Sequence, residues 1–182
     1  MRAILISLLL LGSLSCLASP AAKPPVAPPA PAAPKPWAIM SPEQAPVMFA
    51  QCSRPAPQES KGPFWSPAPA QIEELEKELS AYLRQQGHAK EADGLARFLR
   101  QYVGFVRADR KLIYLNAFPV YLVESDEKMC RERPELMPKE LCEPDHWRHE
   151  GVFVCDGGDD FWGLEYDPES KAFSALEFNG GF

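Results

Sequence analysis

Between Ile72 and Leu83 the apolar residues return at three- and four-residue steps: Ile72, Leu75, Leu79, Tyr82 and Leu83. Glu73, Glu74, Lys77 and Glu78 fall mainly on the other face. That spacing predicts an amphipathic helix, with Gly87 as its stop. A second stretch with Leu95, Phe98, Leu99 and Tyr102 predicts another helix from about Ala89 to Tyr102. Upstream, Ser41-Pro42-Glu43-Gln44 carries a helix start, with Ser41 as N-cap, Pro42 in the first turn and Gln44 in the capping-box place. After Tyr102 the period falls to two. Val103–Arg107 and Leu112–Phe118 read as strands joined by a polar turn at Asp109-Arg110. Val152–Cys155, Trp162–Tyr166 and Phe173–Phe178 read as three more, separated by Gly157-Gly158-Asp159 and by Asp167-Pro168-Glu169-Ser170. Such tight turns make antiparallel neighbours. Residues 125–150 are charged, are broken by Pro134, Pro138 and Pro144, and predict a long excursion. The expected fold is α+β: one or two N-terminal helices packed on one face of a roughly five-stranded antiparallel sheet.

The ends of the pattern define the organisation. Met1-Arg2-Ala3 leads into an apolar run from Ile4 to Leu11 interrupted only by Ser7. One positive charge ahead of a short apolar run predicts a secretory signal peptide over residues 1–19. The run is shorter than the roughly 20 residues a membrane span needs, and no later segment approaches that length. Ser13-Leu14-Ser15-Cys16 offers a second route, lipidation at Cys16, with Leu one place later than lipoprotein signals usually set it. Residues 20–36 read PAAKPPVAPPAPAAPKP. Pro and Ala at this density build no core and favour extended polyproline II, a tether that could span roughly 50 Å. One domain is expected over residues 37–182, enough chain for a real core.

Setting Cys16 aside leaves Cys52, Cys130, Cys142 and Cys155. Four cysteines in an exported chain read as two disulfides with three connectivities open. The favoured pairing is Cys130–Cys142 as a local clip and Cys52–Cys155 as the long-range bridge. No C-x-x-C spacing is present, which argues against a thiolate zinc site.

Charge narrows the partners. The chain holds 25 Asp and Glu against 19 Lys and Arg, and three of those cations, Arg2, Lys23 and Lys35, lie ahead of Trp37. An acidic domain is a poor binder of nucleic acid or anionic lipid. Candidate chemistry is sparse. Asp156, Asp159 and Asp160 around Gly157-Gly158 miss the alternate-position spacing of an EF-hand loop and read as a solvated turn. His146 and His149 with Glu150 could share a helix face as metal ligands, but Pro144 and Gly151 bracket them and favour a loop. Glu165 and Glu177 could face each other on adjacent strands as glycosidase carboxylates do, although two glutamates on a wet sheet face are commonplace. There is no G-x-S-x-G elbow. No cofactor, functional metal site or catalytic residue is expected.

Certain short stretches stand together: Gln51-Cys52-Ser53-Arg54-Pro55, Trp65-Ser66-Pro67, Gln101-Tyr102-Val103-Gly104, Leu112-Ile113-Tyr114-Leu115-Asn116, Val154-Cys155-Asp156-Gly157-Gly158, Trp162-Gly163-Leu164-Glu165-Tyr166-Asp167 and Phe178-Asn179-Gly180. This pattern, over roughly residues 50–182, resembles a group of uncharacterised small exported proteins of Gram-negative bacteria. The resemblance implies no activity and no catalytic residues. It implies that Cys52 and Cys155 belong to a shared core and that the Cys130/Cys142 excursion is particular to this chain.

The expected function is a non-catalytic envelope module, periplasmic or outer-membrane-associated, that binds an unidentified envelope protein. The rivals are an envelope hydrolase using acidic or histidine residues and a structural lipoprotein. A pocket of convergent carboxylates or histidines would favour the hydrolase. An exposed apolar patch or open sheet edge would favour binding.

Overall fold

A computed structural model describes residues 34–55, 57 and 62–180. The expected signal peptide, Cys16 and nearly all of the tether lie outside the described residues. The last tether residues do not: the Pro36 carbonyl accepts from Arg100 N at 3.1 Å, and the Lys35 carbonyl accepts from Arg148 Nη2 at 2.8 Å. The described unit therefore starts at Pro34, slightly ahead of the expected Trp37.

The fold is α+β. Five strands, β1 (Trp37–Ile39), β2 (Phe98–Arg107), β3 (Arg110–Pro119), β4 (Trp162–Asp167) and β5 (Ala172–Phe178), lie side by side in chain order. β2 to β5 are antiparallel neighbours, and β1 adds a short parallel strand beside β2. The helices are α1 (Ala45–Phe49), α2 (Pro69–Gln85), α3 (Ala89–Asp93) and α4 (Val120–Glu132). The β2–β3 hairpin turns on Ala108 and Asp109, both at positive φ, the two-residue geometry that matches strand twist. The β4–β5 turn is fixed by Asp167 Oδ1, which accepts from the Glu169 and Ser170 amides at 2.9 and 3.3 Å.

α2 is the helix the periodicity predicts. Pro69 opens its first turn and the Gln71 side chain accepts from Ala68 N at 2.9 Å. Ile72, Leu75, Leu79 and Leu83 are fully buried against one sheet face, beside Tyr102, Leu115, Trp162 and Leu164. Gly87, at φ +88°, ends it: His88 N reaches back to the Leu83 carbonyl at 2.8 Å and Gly87 N to Arg84 at 3.0 Å. Between helix and sheet, Arg100 is held by Glu76 at 2.6 and 2.9 Å, and Tyr102 Oη donates to the same carboxylate at 2.5 Å.

The opposite sheet face is covered too, by α1, α4 and Trp147 over Val103, Phe105, Tyr114 and Phe118. Helices therefore lie on both faces and not on one. That is why β3 and β4 are buried almost without alternation. Three further expectations change. The Ala89–Tyr102 stretch stays helical only to Asp93, then runs through Gly94 and a 3-10 turn into β2, because Phe98 and Tyr102 are sheet core. The charged excursion begins as a regular helix, α4, whose only buried residue is Val123. Residues 152–155 form no strand. Side chains, not a neighbouring ladder, satisfy their backbone groups. Gln51 holds Val152 O and Val154 N, Gln101 holds Val152 N, and Asn179 holds Val154 O and Asp156 O, at 2.7 to 3.2 Å.

Candidate functional site

Cys52 is bonded to Cys155 and Cys130 to Cys142. The first bond anchors the segment 51–54 on the irregular stretch 151–156. Gln51 holds that stretch before the cysteine, and Ser53 holds it after, its Oγ accepting from Asp156 N at 3.1 Å and its carbonyl from Gly180 N at 3.2 Å. With both flanks fixed, the next side chain, Arg54, is laid across the sheet.

Arg54 is 4% exposed. Its Nε donates to Tyr114 Oη at 3.1 Å and its Nη2 donates to Asn116 Oδ1. Its Nη1 is buried without a hydrogen-bond partner, and no carboxylate pairs with it among the described residues. Burial holds the guanidinium below its ordinary pKa, opposed by contact with Tyr114. Burial likewise pushes the Tyr114 hydroxyl up. Gly163 makes this placement sterically possible. A Cβ there would lie 2.8 Å from Tyr114 Oη and 3.1 Å from Arg54 Cζ. The strand register puts Asn116 opposite Gly163 and Tyr114 opposite Glu165, so the partners of Arg54 surround that gap.

Beside Arg54 opens a cavity of about 300 Å³, lined by Arg107, Tyr114, Glu165, Ser174 and Glu177 among others. Arg107 closes β2 and grips Glu165 through two bonds, Nη1 to Oε1 at 2.9 Å and Nη2 to Oε2 at 2.5 Å. Glu165 is 2% exposed, and both oxygens are engaged. Glu177 stands on β5, opposite Gly163, without a hydrogen bond or ion pair among the described residues. The structure thus brings Glu165 and Glu177 to one cavity, but not as two free carboxylates on a wet face. With Glu165 gripped by a guanidinium, proton transfer is ill served. Anion binding is better served: a buried cation with an unpartnered nitrogen, a tyrosine hydroxyl that accepts from Arg54 and keeps its own proton to donate, and a serine.

The other candidates do not join this site. His146 is buried in a 3-10 turn with Nε2 3.8 Å from Asp126 Oδ2 and Nδ1 unpartnered. His149 and Glu150 are exposed. Asp156 sits at positive φ, and Asp159 and Asp160 lie in a 3-10 turn, with Asp160 accepting from Tyr121 Oη at 3.4 Å. Among the described residues no three histidine, cysteine or acidic side chains gather as metal ligands. No described helix is long and apolar enough to cross a membrane.

Arg54, Arg107, Tyr114 and Ser174 escaped the sequence reading as site residues. One signal was available: a glycine inside an otherwise large-residue strand, Trp162-Gly163-Leu164, marks the close approach of another group. No family model, curated protein or solved structure matches the chain.

Proposed function

We propose that this protein is an exported, non-catalytic binding module of the cell envelope, and that its ligand enters the cavity beside Arg54. The carrying observation is the buried Arg54 guanidinium, which has an unpartnered nitrogen and makes no ion pair among the described residues. A buried cation without a partner is costly, and a bound anion would offset that cost. Two disulfides in a chain with a signal-like N-terminus support export. The Pro/Ala stretch would hold the domain away from its point of attachment. The hydrolase reading is weaker, because Glu165 is neutralised by Arg107 and the serine on the lining, Ser174, has no histidine beside it in the cavity.

Titration of the isotope-labelled, oxidised full chain with a desalted envelope extract tests the reading by NMR. Shifts gathered at Tyr114, Gly163, Glu165 and Ser174 are expected, with the extract chemically unchanged. Shifts confined to another surface would refute the site. Hydrolysis of extract components, lost on Glu165→Gln, would restore the enzyme.

A further inference from the structure

The ligand class follows from the charges around the cavity. Arg107 and Glu165 cancel each other in a two-bond pair. Among the described residues Arg54 makes no ion pair, and Glu177, opposite Gly163, adds one negative charge to the same lining. A monoanion matches Arg54. A dianion would bring a second negative charge beside Glu177, with no second unpaired cation on the lining to meet it. The donors are also few. Arg54 has spent Nε and Nη2 on Tyr114 and Asn116, which leaves Nη1, while Tyr114 has its own hydroxyl proton to give. Two donors suit the two oxygens of a planar carboxylate better than the three or four of a phosphate or sulfate.

Resting on the binding role just given, we propose that the Arg54 cavity is a carboxylate-binding site that takes a singly charged carboxylate, with Arg54 and Tyr114 as its donors. Glu177 excludes more highly charged anions. Two sources carry this group, a free organic acid and the C-terminus of a polypeptide. The wall formed by Ser174, Ala175 and Glu177 belongs to β5, which is the last strand of the sheet, so an extended chain has room to leave the cavity along it.

The test uses the oxidised full chain and four probes: acetate, N-acetyl-trialanine, the same peptide as its C-terminal amide, and inorganic phosphate, each titrated by NMR. Acetate and the free-acid peptide are expected to shift the Tyr114, Gly163 and Ser174 amides along the same direction. The amide and phosphate are expected to bind at least tenfold more weakly. A peptide acid at least tenfold tighter than acetate assigns the polypeptide source, and equal affinities assign the free acid. Arg54→Lys should weaken the acids tenfold or more. Because that residue is structural, Glu177→Gln serves as the second variant: it should leave the fold intact and narrow the gap between acetate and phosphate at least threefold. Phosphate binding as tightly as acetate, or the amide as tightly as the acid, overturns the carboxylate assignment while leaving a binding site in place. If no probe moves the three amides, the carboxylate assignment falls. The extract titration, run separately, then decides whether the binding role falls with it.

Discussion

Single residues decide whether the cavity exists. Gly163 is the clearest: its absent side chain is the space in which Arg54 Cζ and Tyr114 Oη lie. Gly163→Ala forces a methyl against those atoms and against the Leu115 carbonyl at 2.9 Å, a backbone atom that cannot give way. Overpacking of this kind costs about 1–3 kcal/mol. A urea midpoint unchanged from wild type would contradict it. Asp126 is a second test, this time of charge. Partial burial raises its carboxyl pKa above the ordinary 3.8, and the charge of His146 offsets only part of that rise. A carboxyl whose folded value is raised binds its proton more tightly in the folded state. Its contribution to stability is complete below the unfolded value and is lost as pH rises through the folded one. Asp126→Asn cannot titrate, so its stability relative to wild type should climb as pH rises from below about 4 through the raised value, then level off. Denaturation midpoints from pH 3 to 8 that stay parallel would disprove this.

Elements differ in how openly the chain announces them. α2 is legible because its apolar residues repeat at three- and four-residue steps, and β3 to β5 because short apolar stretches are bounded by turns that carry Gly, Pro and Asp. α4 is not, because Val123 is its one buried residue and from Glu124 onward charged residues outnumber apolar ones. β1 is three residues long, too short for any period to show. The stretch 151–156 is the most instructive. It looks like a strand, with Val152 and Val154 alternating, yet its partners are the side chains of Gln51, Gln101, Asn116 and Asn179. Four amide residues far apart in sequence carry no local signature of a shared task. Gln101 is the most heavily used: it also donates to the Trp147 and Glu150 carbonyls at 2.6 and 2.7 Å. Gln101→Leu should leave several of these groups unpaired at about 1–3 kcal/mol each where water cannot replace the bond. Hydrogen exchange should speed up at the Val152 amide while the α2 amides stay protected. Equal protection at Val152 would show that the amide clasp is dispensable.

For the molecule as a whole, the site is legible only after the sheet is assembled. Arg54, Arg107, Tyr114 and Glu165 come from four separate stretches: strand register brings the last three together, and the Cys52–Cys155 bond with its flanking contacts lays Arg54 beside them. The same holds at the N-terminus, where composition ends the tether at residue 36 but hydrogen bonds begin at Lys35. Of two truncated chains, one starting at Pro34 and one at Ala38, the shorter loses the bonds to the Lys35, Pro36 and Trp37 carbonyls and the edge-on contact of Trp37 with Tyr102. It should be less stable by roughly 1–3 kcal/mol. Identical melting of the two would place the true boundary later.

The amide clasp also sets an order in time. Gln101, Asn116 and Asn179 can grip residues 151–156 only once β2 and β3 are in register and the chain beyond β5 has arrived. Cys155 rides on that stretch and must find Cys52 across 103 positions, whereas Cys142 lies 12 from Cys130. Chain entropy alone separates the two closures by about 2 kcal/mol. Oxidative refolding should therefore pass through a species holding Cys130–Cys142 with Cys52 and Cys155 still free, and the cavity should be born with the second bond. Alkylation quenching of the refolding mixture followed by peptide mapping will show the sequence of closures. Early accumulation of Cys52–Cys155 would mean that the two ends of the domain meet before its sheet is built.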